Sequence, residues 1–239
     1  MASETSPWPG LPFTTVLFDV DGTLIDSNAA HAETWHQALR EHDVDATLAK
    51  VRSLVGMGSD NLLPALAGIS DESDLGRSIA QRKKELFQTA IPSLRPTNGA
   101  RALVQYLREA KRAVVIATSA DAREVSALLE QAGVDDLIPV RASKDDAADS
   151  KPDPDIVEAA LRRAGAAAGE SVMIGDTPYD LEASKRAGVA AIALRCGGYW
   201  SDADLHGAVA ILDDPAALLD YLRASRMSAV PKHFQRPRR

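Results

Sequence analysis

Apolar and polar positions along the chain fall into two kinds of repeat. Short runs of β-branched and apolar residues, such as Thr14–Asp19 (TTVLFD) and Ala113–Ala117 (AVVIA), predict buried strands. Between them lie amphipathic stretches with helical spacing. From about residue 28 to 94 the pattern is helical only: Ala29–His42, a Gly-rich joint at Val55–Gly58, Asp60–Ala67 and Ser73–Gln88. Pro92, Pro96, Asn98 and Gly99 punctuate the end of that stretch. Alternation then resumes. Helices are predicted at Gly99–Ala110, Asp121–Ala132, Asp153–Ala164, Asp180–Ala187 and Ala216–Leu222. Strands are predicted at Ala113–Ala117, Leu137–Val140, Val172–Ile174, Val189–Leu194 and Val209–Leu212.

Short apolar runs alternating with amphipathic helices imply right-handed crossovers and a parallel sheet covered on both faces. The fold class is therefore α/β, a Rossmann-like parallel sheet with an inserted all-helical cap. Core residues are expected at 14–27 and 95–224, the cap at 28–94, an N-terminal tail at 1–13 and a basic, disordered tail at 225–239. The insertion leaves just after the first strand's loop, so it is expected over the carboxyl edge of the sheet, where open α/β sheets bind ligands and a lid is well sited.

Composition narrows the class. Of 239 residues, 45% are apolar and 26% charged, an ordinary globular balance. No run approaches the roughly 18–20 uncharged apolar residues of a membrane span, and the opening MASETSPWPGLPF predicts no secretory leader. A single cysteine, Cys196, suits a reducing cytoplasm. The formal charge of −7 hides an asymmetry: residues 225–239 carry five cations and no acid, so the rest stands near −12. An acidic body argues against nucleic-acid binding, which would draw on Lys and Arg. No membrane partner is expected, and the chain is expected to be a monomer or homodimer.

Chemistry gathers at strand ends. Asp19 and Asp21 flank Val20 after the first strand, and Gly22 permits a turn that aims both carboxylates at one cavity. A calcium loop is excluded, since its sixth and twelfth positions would be Leu24 and Ala30 rather than Gly and Glu. Thr118 and Ser119 follow AVVIA directly. Lys151 sits in SKPDPD, held between a loop and a helix start by Pro152 and Pro154, and Asp176 ends a strand in VMIGDTPYD with Asp180 four residues on. Taken singly these are turn and cap residues. Together they supply a nucleophile, oxygen ligands for Mg²⁺, hydrogen-bond donors and a cation, which is what phosphoryl transfer requires.

The ordered motifs FDVDGTLIDS, ATSAD, SKPDPD and GDTPYD resemble the haloacid dehalogenase-like hydrolases, in the branch with a helical cap between the first two motifs. The resemblance, over roughly residues 14–224, implies a phosphatase acting on a small phosphorylated metabolite. It implies that Asp19 is the nucleophile, forming an aspartyl-phosphate, and that Asp21 is the acid and base. It implies a Mg²⁺ held by Asp19, the Asp21 carbonyl and Asp176, with Asp180 in support. Thr118 and Lys151 would bind the phosphoryl group, with Ser119 beside them. The acid role calls for a raised Asp21 pKa, expected from burial and from Asp19 nearby.

Dehalogenation needs neither acid nor metal, so Asp21 and Asp176 argue against it. Phosphonate cleavage would need a cap lysine; of Lys50, Lys83 and Lys84 only Lys50 lies near the Gly joint. A mutase of the β-phosphoglucomutase type is the alternative, because His31 lies twelve residues after Asp19. At the joint, however, VGMGSDNLL lacks the mutase arginine, although Arg52 lies four residues before Gly56. His31 and Arg52 are the candidate cap-side substrate contacts. A non-catalytic binding protein on the same scaffold is a third reading, and Cys196, Trp35, Tyr199 and Trp200 are expected to be structural.

Overall fold

A computed structural model describes residues 13–228, with side chains to residue 224. The tail expected at 225–239 lies outside the described side chains, as do residues 1–12. A six-stranded, all-parallel sheet is built from β1 (Thr15–Phe18), β4 (Ala113–Ala117), β5 (Val140–Ala142), β6 (Ser171–Gly175), β7 (Ala190–Leu194) and β8 (Ala210–Leu212), in the order β5-β4-β1-β6-β7-β8. The chain lays strands to one side of β1, then returns to its other side at β6. This places the topological switch, and with it the ligand-binding crevice, at the carboxyl end of β1.

Period-two alternation in β1 divides the core. Val16 and Phe18 face one apolar cluster with α5 (Ala100–Glu109), α6 (Ala122–Gln131) and α9 (Pro215–Ser228). Leu17 faces a second with α7 (Asp155–Ala164) and α8 (Pro178–Arg186). With both faces covered, every residue of β1 is buried, as a central parallel strand demands.

The helices between β1 and β4 enclose a third cluster of their own. Trp35 and Leu39 of α1 (Asn28–Glu41), Val51 of α2 (Leu48–Arg52), Leu62 and Leu63 of α3 (Ser59–Ala67) and Ile79 of α4 (Asp74–Ala90) close on one another. The chain enters and leaves this helical layer through a two-residue antiparallel pair, β2 (Ile25–Asp26) with β3 (Arg95–Pro96).

Three details differ from the sequence expectation. The strand expected at Leu137–Val140 begins at Val140, and Asp135–Leu137 is a 3₁₀ turn. Arg141 hid the strand: its guanidinium bends back onto the Ile138 carbonyl and Asp135, so a charged residue sits inside a sheet strand. Helix α2 was not expected; five residues are too few to show a period, and Thr47 starts it by accepting the Lys50 amide. The β2–β3 pair carries no alternation at all. Phe18 is fully buried at the centre of the sheet, so Phe18→Ala is expected to cost about 3–5 kcal/mol of stability, read as a lowered urea midpoint with unchanged slope.

Candidate active site

The Asp19 amide still donates to the Ile174 carbonyl at 2.9 Å, so the sheet ladder fixes the backbone from which the first carboxylate springs. The turn that follows needs Gly22, which has φ of 72°; a Cβ there would overlap Asn28 and Asp176. Four strand-end segments then converge. Lys151 Nζ, only 1% exposed, lies 2.6 Å from Asp19 Oδ1 and 2.7 Å from Asp180 Oδ1. The other Asp180 oxygen accepts the Thr177 hydroxyl at 2.7 Å and the Thr177 amide at 3.1 Å, closing a capping box at the start of α8. Asp176 accepts Asn28 Nδ2 at 2.7 Å and the Thr23 hydroxyl at 3.1 Å. Thr118 is buried at the end of β4, its hydroxyl accepting the Ala120 amide. The Ser119 hydroxyl is buried with no hydrogen-bond partner among the described residues.

Burial pushes Asp19 up to about 7, helped by the charges of Asp180 and Asp21 and opposed by Lys151. Burial and the same crowding lift Asp176 well above the usual carboxylate range. Burial works against the Lys151 cation, but Asp180 and Asp19 outweigh it and raise its pKa. Asp21 goes the other way, which corrects the expectation of a raised pKa. Burial alone would raise it, yet the charge and hydrogen bond of His31 at 2.8 Å, with the Ser27 hydroxyl at 2.5 Å, bring it down to about 2. The cradle of His31 and Ser27, not the proximity of Asp19, decides its state.

Carboxylate oxygens of Asp19, Asp176 and Asp180 all lie within 4.8 Å of one another. Three buried acids against the single ammonium of Lys151 leave an excess of negative charge, and the donors are all oxygen. That set fits a hard divalent cation. The side chain of Asp21 is not in the group.

Above the acids opens a cavity of about 520 Å³, within the usual range of small-molecule sites. Asp19, Asp21, His31, Thr118 and Ser119 line it; Lys151, Asp176 and Asp180 lie buried beneath its floor. Arg52 is exposed at the end of α2 and does not reach the cavity. Lys83 and Lys84, set aside from the sequence for lying away from the Gly joint, do line it, and so does Lys144, which the sequence did not single out. Lys83 had a signal: Ile79, Lys83 and Phe87 recur at four-residue steps, so this lysine rides the buried stripe of α4. Its ammonium lies 4.6 Å from the Phe87 ring centre and 3.9 Å from Glu124. Cys196 is half-buried, donates to the Gly22 carbonyl, and burial pushes its thiol up to about 12, so it is no nucleophile.

A parallel α/β sheet with an acidic, oxygen-lined nest at its switch point and a helical layer above defines a capped α/β enzyme. The sequence model of haloacid dehalogenase-like hydrolases matches residues 16–194, and the chain belongs to that family. A phosphoglycolate phosphatase of Rhodospirillum rubrum is 32% identical, over 93% of this chain and 98% of its own. A hydrolase of Pseudomonas syringae superposes with a TM-score of 0.83 at 27% identity, covering 88% of this chain and 98% of that one. A β-phosphoglucomutase of Clostridium difficile shares the fold, with a TM-score of 0.78 at 15% identity over 91% of this chain and 99% of that one. Among the described residues no helix is long and apolar enough to cross a membrane.

If the three acids hold a divalent cation, it will stabilise the folded chain by about 2.7 kcal/mol at a hundredfold excess over its dissociation constant. A thermal melt should therefore rise with added Mg²⁺ and fall back with EDTA, and Asp176→Asn should abolish the difference. Equal shifts in wild type and Asp176→Asn would refute the assignment.

Proposed function

We propose that this chain is a Mg²⁺-dependent phosphatase that hydrolyses a small phosphorylated metabolite through an aspartyl-phosphate on Asp19. The observation that carries the reading is the Asp19–Lys151–Asp180 bridge beneath a cavity roofed by the helical layer. The name of the R. rubrum relative supports a phosphatase and makes phosphoglycolate the first ester to test.

In this reading Lys151 holds Asp19 in line and offsets the charge that repels a carboxylate from a phosphate dianion. Mg²⁺ on Asp19, Asp176 and the Asp21 carbonyl, supported by Asp180, would supply further charge neutralisation and orient the phosphoryl oxygens. Asp19 attacks phosphorus as the ester P–O bond breaks, and the leaving oxygen takes a proton from Asp21. Thr118 and Ser119 hydroxyls donate to the phosphoryl oxygens. Water then attacks the aspartyl-phosphate, gives its proton to Asp21, and releases inorganic phosphate with Asp19 restored.

A pKa of about 2 leaves Asp21 ionised in the ligand-free arrangement. An arriving dianion raises it by adding negative charge beside it, and the His31 imidazole at 2.8 Å is placed to pass the proton. The cap lysines Lys83 and Lys84 and the core Lys144 offer the cavity's positive charge to the rest of an anionic substrate. We place the activity in the cytoplasm, with the chain as a monomer or homodimer.

The second reading, a phosphosugar mutase, draws on the fold shared with the C. difficile enzyme and on His31 beside Asp21. Phosphate release from a panel including p-nitrophenyl phosphate, phosphoglycolate and β-glucose 1-phosphate separates the readings. Mg²⁺-dependent release from the first two is expected; glucose 6-phosphate formed without net phosphate would establish the mutase. Asp19→Asn should remove essentially all turnover, and a variant that kept substantial activity would end the nucleophile assignment. No hydrolysis of any ester by the wild type would favour a binding protein.

A further inference from the structure

The helical layer meets the loop that carries Lys151 through Gly58, Asp60 and Asn61, largely at backbone atoms of that loop. Asn61 Nδ2 donates to the Ser150 carbonyl at 2.9 Å and to the Lys151 carbonyl at 3.3 Å. Asp60 Oδ2 accepts the Ser150 amide at 2.9 Å, and its other oxygen meets Lys144 Nζ at 3.1 Å. Gly58 lies so close that a Cβ on it would overlap the Ser150 hydroxyl. Lys84 with Asp121, another polar pair between the layer and the sheet domain, is a side-chain pair in contact with solvent, and exposed pairs of that kind contribute little. The Asp60–Asn61 contact grips a buried loop instead: Ser150 is 3% exposed and Lys151 1%.

The same short segment has a second face. Val55, Gly56, Met57, Gly58 and Ser59 line the cavity, and Asp60 and Asn61 follow them directly at the start of α3. A ligand pressing on 55–59 therefore bears on the two residues that hold the Lys151 backbone. Lys151 has four side-chain torsions, so the place of its ammonium depends on where its backbone starts.

We propose that Asp60 and Asn61 are positioning residues: they clamp the Ser150–Lys151 backbone so that Lys151 reaches Asp19 in register when the helical layer is seated on the sheet edge. The proposal rests on the phosphatase reading for its kinetic consequence, while the clamp itself is read without turnover. Neither residue touches the reacting atoms. Their effect passes through Lys151, which acts on the phosphoryl group common to all substrates.

Two measurements test this on the full chain with Mg²⁺. In hydrogen exchange, Asp60→Ala and Asn61→Ala should speed exchange of the Ser150 and Asp153 amides about tenfold or more, leaving β1, β4 and β6 protected. In kinetics, Asn61→Ala should lower kcat about 10- to 100-fold, by the same factor for p-nitrophenyl phosphate and phosphoglycolate, with KM nearly unchanged. Asn61→Asp, which sets a carboxylate against two carbonyl oxygens, should be worse than alanine. Unchanged exchange overturns the clamp, as does a kcat factor that depends strongly on the ester, which would place Asn61 against the leaving group. A wild type without turnover defeats the phosphatase reading alone, and the exchange result then decides the clamp.

Discussion

The arrangement depends on one buried ammonium. Lys151 lies between Asp19 and Asp180, each under 3 Å away, with almost no contact with water. Removing its charge would leave neighbouring carboxylates buried and unpaired, a loss of the order of 3–5 kcal/mol for broken pairs of this kind. The pair does not hold the fold together more cheaply than apolar packing would. Its value lies in specification: it ties the end of β1 to the start of α8 and the loop after β5, three segments that the sheet brings near but does not lock.

Much of this was legible in the sequence because the sheet edge is a place in the sequence as well as in space. Strand ends can be read from apolar runs, and a parallel sheet gathers every carboxyl end on one side. Asp19, Thr118 and Asp176 could therefore be grouped without coordinates. Lys151 was legible from the Pro152 and Pro154 that follow it in SKPDPD, though not its burial. What escaped were features with no periodic signal: the β2–β3 pair, the five-residue α2, and β5 with Arg141 inside it. Arg52 was misjudged for a related reason. Its nearness to the Gly joint in sequence says nothing of which way a short, unrecognised helix turns it. Lys83, by contrast, sat on a readable stripe with Ile79 and Phe87, but it was set aside because it lies far from the Gly joint in sequence.

The cavity has positive groups from both sides, yet most are already engaged. Lys84 meets Asp121, and Lys144 meets Asp60 and Ser59. Lys83 differs. It is buried against Phe87 and Trp35 rings, with Glu124 no nearer than 3.9 Å. A desolvated ammonium with so loose a partner retains the capacity to gain from an anion or hydroxyl brought into the cavity.

Asp19 and Asp21 show how two identical side chains two positions apart, one buried and one half-buried, are set to opposite states. The difference is in their partners. Burial lifts Asp19 to about 7, with the charges of Asp180 and Asp21 adding to it and an ammonium shared with Asp180 opposing it; Asp21, for all its burial penalty, is held by His31 and Ser27 and falls to about 2. His31 belongs to α1, whose ring stacks 3.8 Å from Phe87 of α4. Two of the contacts by which the helical layer reaches the sheet edge are His31 with Asp21, and Asp60 and Asn61 with the Lys151 backbone. A roof that only excluded water would need neither contact. Because a partner of each carboxylate at the end of β1 is held from the layer above, its seating sets the surroundings of the carboxylates below as well as the shape of the cavity.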